Sequence, residues 1–210
     1  MGRRRNKEET IRKLIAAVGN ILAEHGHTGI GVNKVALESG VSKPMIYQYF
    51  GGLNNLLKAY IQKKDYWLPY FETLELADNP TSEELKHLFI KILQDQFRYF
   101  YSEKEMQKLI LWQASEYNAL IRKISETREK EGVRLLEMPD DHFRNSGVSL
   151  KAVVALLVGG IYFMILQNTA GNGPVAGIDI SDDKDAAIVL RTIEQIVQWA
   201  WDAAAKSKFN

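Results

Sequence analysis

Apolar residues recur at helical spacing along most of the chain, and the breaks between periodic stretches outline a succession of helices. Ile11, Leu14, Ile15, Val18 and Leu22 form one stripe, predicting a first helix that ends at His25 and Gly26. Asn6 with Glu9 three residues on resembles a capping box at its start. Val32, Val35 and Ala36 predict a short second helix, stopped at Gly40, where glycine tolerates the positive φ of a sharp reversal. Val41 then anchors the turn, Ser42 is placed to cap the next helix, and Pro44 falls in its first turn, where a missing N–H costs nothing. Helix, glycine turn and second short helix together make a helix-turn-helix.

Leu53, Leu56, Leu57, Tyr60 and Ile61 predict a linking helix over 53–68, with Pro69 ending or kinking it. A turn at Asp78-Asn79-Pro80 and a capping box from Thr81 to Glu84 open a helix over 82–101, with Leu85, Leu88, Phe89, Ile92, Phe97 and Phe100 apolar. Ser102 with Glu105 repeats the start signal for a helix through Met106, Leu109, Ile110 and Trp112 to about Ser115. The next runs over 119–137, with Leu120, Ile121, Ile124, Val133, Leu135 and Leu136 as its expected buried set. Residues 138–149 read as an irregular loop whose Asp140-Asp141-His142 lies on the surface.

Ala152 to Leu166 is an unbroken stretch of 15 residues without charge, shorter than the roughly 20 that a bilayer crossing needs. Its nearly all-round apolar character predicts burial in protein, with Gly159 and Gly160 allowing close helix approach. After a glycine-bearing loop at 171–177, Asp182 or Asp183 caps a last helix to about Ala205. That helix carries Ala186, Val189, Leu190, Ile193, Ile196, Val197, Ala200 and Trp201, more apolar surface than one intramolecular face requires. A subunit interface through Val153, Leu156, Gly159, Gly160, Ile193, Ile196, Val197 and Trp201 is therefore expected.

Composition narrows the class. The hydrophobic fraction is 46%, enough for a packed core, and the five prolines and the scarcity of β-branched alternation argue for an all-α protein. No cysteine is present, which removes disulfides, thiolate metal sites and thiol nucleophiles. Residues 1–64 hold 11 Lys and Arg against 4 Asp and Glu, whereas the rest holds 16 against 22. A basic N-terminal third on an acidic body is the charge layout of a DNA-binding domain joined to something else. No apolar stretch follows the basic N-terminus as a secretory signal requires, and Asn6 stands where a myristoylation signal needs Ser or Thr, so a cytoplasmic location is expected.

The candidate chemistry agrees with the charge. At about 100° per residue, Ile46, Tyr49 and Phe50 face the domain core. Lys43, Pro44, Met45, Tyr47 and Gln48 lie on or flank the other side, where lysine and the tyrosine hydroxyl suit phosphates and a glutamine amide suits adenine. Ser42 and Tyr49 complete the candidate DNA-binding set on this helix. Arg3, Arg4 and Arg5 are expected as a flexible arm able to enter a minor groove. His25 and His27 lack a third ligand nearby, so no metal is expected. No Ser-His-Asp order, phosphate loop, dinucleotide fingerprint or H-E-x-x-H occurs, so no catalytic residue and no cofactor are assigned. The rival readings are a non-catalytic helical protein-interaction module and, behind it, a small-molecule enzyme.

GVSKPMIYQYF followed by GGLNNLL resembles the signature of the tetracycline repressor (TetR) family of bacterial transcriptional regulators. Gly40, Val41, Ser42, Tyr47, Tyr49, Phe50, Leu56 and Leu57 fall on matching positions, and the likeness covers roughly residues 8–60. Gly31 replaces the family's usual threonine cap, and Leu53 its common phosphate-steadying lysine. The resemblance implies a helix-turn-helix domain at 1–52, the linking helix, and a regulatory and dimerisation domain at 69–210. It further implies a homodimer formed by the last two helices as a four-helix bundle, bound to a palindromic double-stranded DNA operator. An unidentified small apolar or aromatic effector would sit among the middle helices, with Gln96, Phe97, Phe100, Trp112, Gln113, Glu116 and Tyr162 as candidate contacts. No membrane partner is expected.

Overall fold

A computed structural model describes residues 2–64, 79–115 and 117–207, with residues 2–5, 124 and 131 described by their backbone alone. Regular structure among them is helical apart from one isolated bridge between Val175 and Ile178. In chain order the helices are α1 (Gly2–His25), α2 (Val32–Ser39), α3 (Lys43–Phe50), α4 (Leu53–Lys64), α5 (Ser82–Ser102), α6 (Lys104–Ser115), α7 (Ala119–Glu137), the single turn α8 (Asp140–Phe143), α9 (Leu150–Thr169) and α10 (Asp183–Lys206). A 3-10 turn, His27–Gly29, follows α1. The expected end of the linking helix at Leu68 and Pro69, the turn residue Asp78, the candidate Glu116 and the side chains of Arg3, Arg4, Arg5 and Ile124 lie outside the described residues.

Two compact units form: Met1–Thr73 with Lys104–Arg128, and Leu74–Glu103 with Glu129–Asn210. They do not follow a single cut near residue 69. The reason is α6, which packs on α1 and buries Met106, Leu109 and Ile110. Helical periodicity reports that a face is buried without saying against what.

In the first unit, α1 packs on α2 and α4, and α3 packs on α2 and α4. Leu14, Val18, Ile21, Leu22, Val35, Ile46, Leu56 and Tyr60 form the core. The α1 stripe is read correctly from the sequence, but its start is not. The helix begins at Gly2, so Arg3 to Arg5 form its first turn rather than a separate arm, and Asn6 lies inside it, its carbonyl accepting from Thr10 Oγ1 at 2.8 Å. Glu105 joins α6 to the rest. Its carboxylate accepts from the Tyr60 hydroxyl at 2.6 Å and pairs with Lys64 at 3.2 Å. Ser102, expected to cap α6, instead ends α5 by donating to the Tyr99 carbonyl.

The second unit packs α5 against α9 and α10, with Phe89, Leu93, Phe100, Ile161, Ile165, Ile193 and Val197 inside. The Thr81–Glu84 capping box is present, with Glu84 N–H donating to Thr81 Oγ1 at 3.2 Å and Thr81 N–H to Glu84 Oε2 at 2.7 Å. Those Thr81 donors, the amide first and then the hydroxyl, hold the Glu84 carboxyl below its ordinary value of 4.5. A carboxyl lowered in the folded state stabilises it above the unfolded pKa, and the contribution is lost as pH falls through the folded one. Glu84→Gln, which can keep the box, is expected to remove that part of the acid dependence in unfolding curves taken between about pH 6 and 3.

Residues 138–149 are not wholly irregular. Asp140 and Asp141 are exposed in α8, but His142 belongs to a closed ring of hydrogen bonds with α5 and α10. Trp201 Nε1–H donates to Ser82 Oγ at 3.0 Å, Ser82 Oγ meets His142 Nδ1 at 2.9 Å, and His142 Nε2 lies 3.0 Å from the Trp201 carbonyl. A carbonyl only accepts, so Nε2 carries a proton. Phe143 stands edge-on to the same indole at 4.8 Å. On α7, Ile121 and Leu135 are buried and Leu120 and Leu136 half-buried, while Val133 is exposed, contrary to its expected place in the buried set.

Candidate nucleic-acid interface

The turn between α2 and α3 is built by backbone and one unforeseen hydroxyl. Gly40 takes the left-handed conformation at φ 64°, and its N–H donates to the Leu37 carbonyl. Ser39 Oγ donates to the Val35 carbonyl at 2.6 Å and accepts from Val41 N–H at 3.2 Å, tying the end of α2 to the turn. Ser42 occupies the N-cap of α3 as expected, yet its side chain makes no cap bond; its carbonyl accepts from Met45 N–H instead. The tie therefore sits three residues earlier than the expected cap. A serine immediately before the helix-ending glycine was the available sign.

At the other end of α3, Gly51 is left-handed at φ 72°, its N–H bonded to the Tyr47 carbonyl. Asn55 Nδ2 donates to the Phe50 carbonyl at 2.7 Å, a second contact not anticipated from the sequence. The helix is thus held at both ends, and Ile46, fully buried, anchors its middle.

That anchoring decides which side chains face outwards. Ser42, Lys43, Pro44, Tyr47 and Gln48 are exposed, while Met45, Tyr49 and Phe50 are half-buried. Among the described residues Lys43 has no acidic partner. Lys7 of α1 lies 5.9 Å over the Tyr49 ring, which brings the basic start of α1 to the recognition surface. One exposed face thus offers a lysine, a phenol and a free amide on a rigid helix, the combination that contacts phosphates and base edges.

The residues expected at an effector site are divided. Gln96, Phe97, Phe100 and Tyr162 belong to the second unit, where Phe100 and Tyr162 rings lie 4.8 Å apart. Trp112 and Gln113 belong to the first: Trp112 is buried and stacked on His27 at 4.9 Å, and Gln113 is exposed. Trp112 is therefore engaged in holding α6 to the turn after α1. Among the described residues no group of three His, Asp or Glu is arranged to hold a metal ion.

The expected dimer residues also separate. Leu156 is 78% exposed and Gly159 exposed, with Val153 and Gly160 half-buried; Phe163, one turn further along α9, is exposed as well. Ile193, Val197 and Trp201 are instead buried within the unit, so they form its core and no interface. The outward apolar side chains of α10 are Ile188 and Trp199, the latter 62% exposed, with Ile196 half-buried. At its full 20 residues α9 reaches the length and apolar composition of a membrane span, which the shorter stretch read from the sequence did not. It nevertheless buries Leu150, Ile161 and Ile165 in its unit, and its exposed apolar face is a stripe.

Residues 14–60 match the family model described as bacterial regulatory proteins, tetR family. An HTH-type transcriptional repressor from Streptomyces coelicolor is 27% identical over 114 residues, 54% of each chain, so the match spans about half the length of that relative. Two solved structures share the fold. The transcriptional regulator FadR from Bacillus subtilis, in complex with stearoyl-CoA, superposes with a TM-score of 0.61 at 14% identity, covering 89% of this chain and 96% of its own. The fatty acid degradation regulator FadR from Bacillus halodurans gives 0.60 at 18%, covering 90% and 94%.

Proposed function

We propose that this chain, whose residues 14–60 match the model of the tetR family of bacterial regulatory proteins, is a cytoplasmic, non-catalytic transcriptional repressor of that family. It binds a palindromic operator as a homodimer and is released by a small effector. The observation that carries this reading is α3. It is locked at both ends and in the middle, with Lys43, Tyr47 and Gln48 directed outwards beside the basic start of α1. A helical protein-interaction module needs no such uncompensated cationic and amide face.

In this reading Gln48, with Lys43 to Met45, faces bases in the major groove, Ser42, Tyr47 and Tyr49 serve the phosphates, and Arg3 to Arg5 add contacts from the start of α1. The two copies meet through the exposed stripe of α9 and through Ile188, Ile196 and Trp199 of α10, which sets half-site spacing at about 34–36 Å. An apolar stripe interrupted by two glycines suits another helix better than lipid, because it lets the backbones approach.

Effector and operator oppose one another by a coupling of roughly 1–3 kcal/mol, reciprocal by thermodynamic necessity. Within the first unit, Glu105 supplies a physical tie between α6 and the DNA-binding helices through Tyr60 and Lys64 of α4. α6 thereby bonds directly to the helix that follows the recognition helix.

The test is selection of genomic fragments by the purified protein, followed by titration of the enriched site. Gln48→Ala is expected to relax preference at one position per half-site by about 1–3 kcal/mol, whereas Arg4→Ala weakens all duplexes alike and flattens the salt slope. Equal loss of operator and random DNA on Gln48→Ala overturns the assignment of base reading. Absence of any enriched, salt-sensitive site overturns the regulator reading itself.

A further inference from the structure

Among the described residues of the second unit, Gln96 is the one wholly buried side chain whose polar atoms find nothing to bond. It is 0% exposed, and neither Oε1 nor Nε2 has a hydrogen-bond partner. A primary amide taken out of water without partners is costly to the fold, because it forfeits up to four hydrogen bonds. Its surroundings on α5 are apolar: Ile92 and Leu93 one turn before it and Phe100 one turn after, the last against Tyr162 of α9. Of these side chains only Tyr162 carries a polar atom, and its hydroxyl makes no hydrogen bond to Gln96. Folding alone offers no return for placing glutamine rather than leucine here.

We propose that Gln96 is the hydrogen-bonding anchor of the effector site, and that the effector is a neutral, mostly apolar molecule bearing a carboxamide or lactam group. The inference rests on the reading of the chain as an effector-responsive regulator and names the chemistry recognised. A carboxamide matches a glutamine amide in kind, one N–H donating and one carbonyl accepting on each side. Charge is disfavoured by what lies around. The buried cation of α5, Lys86, is ten residues away, roughly 15 Å along the helix, and is paired with Glu83 at 2.6 Å. Asp95 is bonded to Lys91 and Arg98 on the exposed side of α5. The sole charged residue of α9, Lys151, is in its first turn, and Arg191 and Glu194 of α10 are exposed. A carboxylate entering beside Gln96 would meet no buried, unpaired cation among the described residues of α5, α9 and α10.

The test compares the full-length protein with Gln96→Met, which nearly preserves volume, and with Gln96→Leu as a second variant. Benzamide is the probe and toluene its apolar control, each read by thermal shift and by ligand-observed NMR. With no additive, both variants are expected to melt about 2–8 °C above the wild type, since the unsatisfied amide is gone. Benzamide is expected to bind the wild type and to lose at least ten-fold in affinity for both variants, while toluene binds all three alike. Variants that melt below the wild type would mean that the amide is already bonded within the fold, and the proposal fails. It fails equally if benzamide does not bind, or binds wild type and variants alike, as it would were an internal water the only occupant. Salt-dependent binding of the wild type to the enriched duplex is measured in parallel. Its absence overturns the regulator reading, and the benzamide comparison still decides the role of Gln96.

Discussion

Gly160→Leu is expected to give a folded protomer that no longer dimerises. A Cβ built at Gly159 or Gly160 meets nothing within 4 Å, so the protomer has room for the larger side chain. Leucine is also the better helix former by several tenths of a kcal/mol, which argues against unfolding as the cause of any loss. What the side chain disturbs is the approach of a second α9 along the stripe of Leu156, Gly159, Gly160 and Phe163. Because a palindrome is read by two linked domains, separating them sacrifices effective concentration, and operator affinity is expected to fall on the order of 10²–10⁴-fold. Sedimentation equilibrium and operator titration check the two halves of the statement. A variant that remains dimeric at micromolar concentration with unchanged operator affinity would move the interface elsewhere.

The second large effect is expected at Trp201, which is 3% exposed and was anticipated from the sequence as an interface residue. Its indole is wedged between Phe89, His142 and Phe143 and donates to Ser82. Trp201→Ala should therefore destabilise the protomer by about 3–5 kcal/mol, through lost apolar contact and the cavity left behind. Measuring urea unfolding in the Gly160→Leu background separates protomer stability from association. His142→Phe keeps an aromatic ring beside the indole and breaks the hydrogen-bonded ring, so its cost should be smaller, about 1–3 kcal/mol. If Trp201→Ala left the monomer's stability within 1 kcal/mol of its parent, the ring would not be holding α5, α8 and α10 together.

These two positions show how far the chain could be read before its fold was known. Gly160 and Trp201 belong to helices that periodicity and caps located to within a few residues: α10 does start at an Asp182 cap, whose side chain accepts from Lys184 and Asp185 N–H. Both helices carry excess apolar surface. On α10, Ile188 and Trp199 lie roughly 120–180° around the helix from Ile193, Val197 and Trp201; the latter three turn to α5 while the former two face out. Spacing separates the two sets but does not say which of them another helix of the same chain covers.

The sequence by itself determined the all-α class, the helix-turn-helix and the outward face of α3. All three depend on local properties: helical period, glycines able to take positive φ at Gly40 and Gly51, and a proline in a first turn. Interactions between residues far apart in the chain were decided only by tertiary structure. Among them are Glu105 reaching Tyr60 and Lys64, His27 stacking on Trp112, His142 closing a ring with Ser82 and Trp201, and Gln96 left without a partner. A one-dimensional pattern records which side of a helix is apolar, because that is fixed by 100° per residue. Which helix covers that side depends on how all the faces can be buried at once, and no local window contains that information.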